Sequence, residues 1–93
     1  ISVPDYVFDS DYPLININEL YNFVSINKHL PNIQNQQHIL QNGIKITDFT
    51  MKLLEKIEEL TLYTIDLNHN ISFLKNKNNI LFNKINNILD TFL

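Results

Sequence analysis

The chain has no cysteine, no arginine, a single glycine and no stretch approaching the roughly 18 consecutive apolar residues of a membrane span. Each absence excludes something. Without cysteine there are no disulfides and no thiolate metal sites, so two of the usual staples of a small fold are missing. Without arginine, and with a formal net charge of −3, there is no clustered basic surface of the kind that nucleic acid requires or that anionic membranes attract. The three histidines, His29, His38 and His69, stand in different segments with no paired spacing, which argues against a metal site. Asp5, Asp9 and Asp11 alternate, but the glycine and bidentate glutamate of a calcium loop do not accompany them, so they read as turn residues. Ser2, Ser10, Ser25 and Ser72 have no base in any recognisable motif, and no glycine-rich phosphate loop exists. The sequence points to no enzyme, no metal and no cofactor. It begins at Ile1 with neither an initiator methionine nor a secretory leader, and reads as a piece of a longer protein.

A chain of 93 residues holds one small domain at most, and a monomer of that size buries a poor core. With no disulfide or metal to help, oligomerisation is the staple left. Fifteen residues are asparagine, scattered over helical surface positions rather than gathered in one block, as in the product of an AT-rich genome. Asn70-Ile71-Ser72 matches a glycosylation sequon, but Ile71 falls on an expected apolar seam and the match is discounted.

All three prolines (Pro4, Pro13, Pro31) and Gly43 lie before residue 47. Proline breaks helices and glycine weakens them, so the chain divides into a head, residues 1–46, and a stalk, residues 47–93. In the head, Val3-Pro4-Asp5-Tyr6-Val7-Phe8 reads as extended and Asp9-Ser10-Asp11 as a turn. Asn16-Ile17-Asn18-Glu19 has a capping-box pattern, with the asparagine capping the third amide, and predicts a helix over about 17–28. Ile17, Leu20, Tyr21, Phe23 and Val24 would form its buried face, and His29-Leu30-Pro31 would end it. A second short helix is expected over 36–42, capped by Asn35 and closed by Gly43. Ile44-Lys45-Ile46 is an extended link, after which Thr47 or Asp48 caps the long helix.

The stalk follows a heptad without a skip. With Ile57 at a, the a positions are Thr50, Ile57, Thr64, Ile71, Asn78, Ile85 and Phe92, and the d positions are Leu53, Leu60, Leu67, Leu74, Leu81 and Ile88. No seam position carries a charge. So long a repeat in a helix of roughly 70 Å, at about 1.5 Å per residue, is the signature of a coiled coil. Isoleucine at a with leucine at d, and an asparagine at a, suit a parallel dimer. Phe49 and Tyr63 at g, and Leu54, Phe82 and Leu89 at e, widen the apolar stripe and shift the expectation to a parallel trimer. Asn78 would fix register at a cost in stability. Glu55, Lys56, Glu58 and Glu59 flank Ile57 and read as a solvated charged face with modest ion pairs. Tyr6, Phe8, Tyr12 and Leu30 are the head's candidates either for packing onto the stalk or for binding a partner. The fold class is therefore all-α, a small cap with short helices followed by a long coiled-coil helix.

Several separate motifs occur in a fixed order: Pro4-Asp5-Tyr6-Val7-Phe8, Asp11-Tyr12 with Leu14, Asn27-Lys28-His29-Leu30-Pro31-Asn32-Ile33, Asn42-Gly43-Ile44, and Lys52-Leu53-Leu54-Glu55-Lys56-Ile57-Glu58-Glu59-Leu60-Thr61-Leu62-Tyr63. Over about residues 4–67 the chain resembles the C-terminal module of Bacteroidota surface and tail-fibre-like proteins. Such modules are grouped near the intramolecular chaperone domain of phage tail spikes and endosialidases. The resemblance implies a trimerising module on the cell surface or the virion that holds the upstream domains of its own chain in register. Some related domains cut themselves off with serine–lysine chemistry, but the motif for the catalytic serine is not recognisable here. Gln34-Asn35 also replaces the usual Pro-Ser start of the second helix, a small loss because asparagine caps as well as serine. The alternative is an adhesin or receptor-binding tip whose coiled coil supplies only valency.

Overall fold

The structure, a computed structural model, describes residues 4–43 and 45–93. Among the described residues the fold is all-α: a 3-10 helix (Pro4–Phe8) and three α-helices, α1 (Ile17–Asn27), α2 (Gln36–Asn42) and α3 (Ile46–Phe92), with no strand. The long C-terminal helix expected from the heptad is present, 47 residues in length.

The opening segment is where local reading fails. Val3 and Ile44 lie outside the described residues, but Pro4–Phe8 is a 3-10 helix rather than extended. Pro4 fixes φ near the helical value and suits a first turn, where its missing N–H costs nothing. Asp5 adds an acid at the positive end of that turn. The Asp9 N–H then donates to the Tyr6 carbonyl at 3.1 Å and the Tyr12 N–H to the Asp9 carbonyl at 3.1 Å, carrying the turn chemistry onward.

α1 starts at an N-cap, Asn16, whose side chain accepts from the second helical amide, Asn18, at 2.8 Å, rather than from the third as the capping-box pattern predicts. Its C-cap is Lys28, in the left-handed region at φ 60°, donating to the Val24 carbonyl at 2.9 Å. Leu30-Pro31-Asn32-Ile33 follows as a turn closed by the Ile33 N–H on the Leu30 carbonyl at 3.2 Å. Proline at its second place and an asparagine at φ 63° at its third are what a type II turn needs. α2 has the expected bounds and caps: the Asn35 side chain accepts from the His38 N–H at 2.8 Å, and Gly43 follows at φ 74°. α3 begins one residue early. The Phe49 N–H bonds to the Lys45 carbonyl at 2.9 Å, so Thr47 and Asp48 sit inside the first turn instead of capping it.

The chain separates into two units, residues 1–63 and residues 64–93. In the first, the head packs on the opening turns of α3, with Pro4 and Val7 fully buried. The expected buried face of α1 is only partly realised: Leu20 and Phe23 are half-buried, whereas Ile17, Tyr21 and Val24 are exposed. So small a head has too few apolar neighbours to cover both sides of the helix. In the second unit every residue, from Thr64 to Leu93, is exposed.

Candidate functional site

A helix turns about 100° per residue, and the burial pattern along α3 in the first unit follows that period. Glu58 at b, Glu55 and Leu62 at f, Lys52 and Glu59 at c, and Phe49, Lys56 and Tyr63 at g are buried or half-buried. Leu53 and Leu60 at d and Ile57 at a are exposed, Ile57 at 59% and Leu60 at 63%. The head thus occupies the back of the helix and leaves the seam facing outward. The charged patch around Ile57 is consequently not the solvated face that its composition suggests; it is the surface on which the head sits.

Hydrogen bonds hold that packing. The Tyr6 hydroxyl donates to the Glu55 carboxylate, and the Tyr12 hydroxyl to Glu59 Oε2 at 2.5 Å. Lys56 Nζ lies 3.0 Å from Glu59 Oε1 and 3.5 Å from Glu55 Oε1, so one ammonium joins both carboxylates. The two tyrosine rings pack with centroids 5.9 Å apart, closing a ring of five side chains. One turn further on, the Tyr63 hydroxyl donates to the Ile15 carbonyl at 2.5 Å. Donation to Glu55, with desolvation and the nearby carboxylates, pushes Tyr6 up to about 12. Desolvation, then donation to Glu59, raises Tyr12, and desolvation raises Tyr63.

Glu58 is the exception in this network. It is 8% exposed and its Oε2 has no hydrogen-bond partner among the described residues. Loss of water raises its pKa first, and the neighbouring charges of Asp5 and Glu55 add to the effect. A carboxylate oxygen buried without a partner opposes the packing around it.

Beside the seam, on its g side, lies an apolar groove of about 570 Å³. One wall is the head, with Tyr12, Leu20, Leu30 and Pro31; the floor is α3, with Leu53, Ile57 and Leu60. Two of the four head residues singled out from sequence, Tyr12 and Leu30, line this groove. Tyr6 belongs to the hydrogen-bonded ring, and Phe8 is 52% exposed. The other sequence-predicted seam residues are exposed in place: Thr50 in the first unit, and Thr64, Leu67, Ile71, Leu74, Asn78, Leu81, Ile85, Ile88 and Phe92 in the second. There the apolar side chains form a continuous stripe, flanked by Phe82 and Leu89. Sequence reading missed the roles of Glu55, Glu58 and Glu59, although the four-residue step Glu55, Glu59, Tyr63 was a signal that these residues share one face.

Among the described residues no group of histidines and acids is arranged to hold a metal ion, and no helix is long and apolar enough to cross a membrane. No protein-family model, curated protein or solved structure matches the chain.

Proposed function

We propose that the chain is a trimerisation module: three α3 helices associate in parallel along the seam and hold the upstream parts of their chains together in register. The observation that carries this reading is that the head packs on the back of α3 and leaves exposed Leu53 and Ile57, d and a positions of a heptad that the sequence continues to Phe92. An exposed stripe of Leu67, Ile71, Leu74, Leu81, Ile85 and Ile88, in a helix not apolar enough to cross a membrane, calls for a cover. Similar helices supply one by symmetric association. The flanking Phe82 and Leu89, both exposed, support three strands over two. Association raises the effective concentration of whatever is joined to each chain and so favours its correct alignment. That role fits the resemblance to the chaperone-like modules of surface and tail-fibre proteins, and with it a place on a cell surface or virion. Sedimentation equilibrium at micromolar concentration tests the proposal. The expected result is a species of three times the chain mass; a monomer overturns it.

A further inference from the structure

We infer that the head is itself part of the assembly, and that each head's groove clasps the helix of the next chain round the trimer. This inference rests on the parallel seam proposed above and adds what fills the groove and from which side. The floor of the groove is the seam: Leu53 and Leu60 at d and Ile57 at a. A second helix seated on those residues therefore lies at the mouth of the groove, and no other occupant can enter without displacing it. The head wall, with Leu20 and Leu30, stands beside the g positions Lys56 and Tyr63, and neither e position of this segment, Leu54 or Thr61, lines the groove. In a parallel coiled coil the g side of one helix faces the e side of its neighbour, in the following heptad. The wall of one chain at Lys56 thus meets the neighbour's side chain at Thr61, which is small and exposed. Each chain has one wall and one presenting edge, so the contacts run in a single rotational direction and close after three chains. The groove is incomplete in one chain because its second wall belongs to another copy.

The absence of cysteine makes the test direct. A chain carrying both Leu30→Cys and Thr61→Cys is oxidised and run on denaturing gels without reductant, beside Leu67→Cys, a d-position control that reports the seam alone. The expected result is a covalent trimer from the double variant, covalent dimers from Leu67→Cys, and neither product from Leu30→Cys alone. If Leu67→Cys cross-links and the chain sediments as a trimer, while the double variant stays uncross-linked or closes only within one chain, the clasp is overturned and the seam stands. If Leu67→Cys also fails and the chain sediments as a monomer, both are overturned.

Discussion

At the scale of single residues, the head is held by contacts of opposite sign. The tyrosine–glutamate bonds favour docking, and Glu58 opposes it. Glu58 has a raised folded-state pKa, so its contribution is most favourable below the ordinary carboxylate range and is lost as pH rises through the raised value. Protonation of Glu58 in mild acid therefore tightens the head. Glu58→Gln removes the buried charge and keeps the shape. At fixed protein concentration its thermal midpoint at pH 7 should exceed that of the parent, with the gap narrowing on acidification; a parent that is more stable at neutral pH would contradict this. Tyr6 works in the same sense at the other end of the scale. Its contribution is complete below about pH 10, the ordinary tyrosine value, and is lost as pH rises through about 12. Alkaline titration followed by proteolysis should release the head before α3 loses its helical signal.

At the scale of elements, capping decides the short helices. α2 has seven residues and no buried side chain, so little besides its cap and its turn keeps it helical. Asn35→Ala removes the bond to the His38 amide and should cost about 1 kcal/mol, read as faster amide exchange across Gln36–Asn42 with α1 unaffected. Such elements were legible in the sequence because their signals are local: Asn16 and Asn35 before a helix, Gly43 after one, and a heptad without proline. The 3-10 helix at Pro4–Phe8 was not, because β-branched and aromatic residues suggest a strand when no sheet partner is in view. The place of the head was hidden for a different reason. Charge and apolar patterns along α3 mark its apolar stripe, but they do not distinguish a wet polar face from one on which tyrosine hydroxyls converge over 47 to 49 residues of separation.

At the scale of the whole molecule, Asn78 is the one amide on an otherwise apolar or threonine seam. In the proposed trimer it trades stability for alignment. Asn78→Ile should raise the thermal midpoint while loosening register, so that the yield of Leu67→Cys dimers, which form only between in-register chains, falls in the Asn78→Ile background. A higher midpoint with unchanged dimer yield would assign Asn78 no aligning role.

The chain contains no tryptophan and four tyrosines. Three of them, Tyr6, Tyr12 and Tyr63, are hydrogen-bonded where the head meets α3, and the fourth, Tyr21, is 71% exposed. The protein thus carries its own optical division of labour. Three of the four tyrosines change surroundings when the head undocks, so changes in the near-ultraviolet tyrosine signal report head docking, whereas far-ultraviolet dichroism is dominated by α3. A single unlabelled sample melted under both probes should give two curves, and their spacing along the temperature axis measures how far undocking of the head precedes loss of the helix.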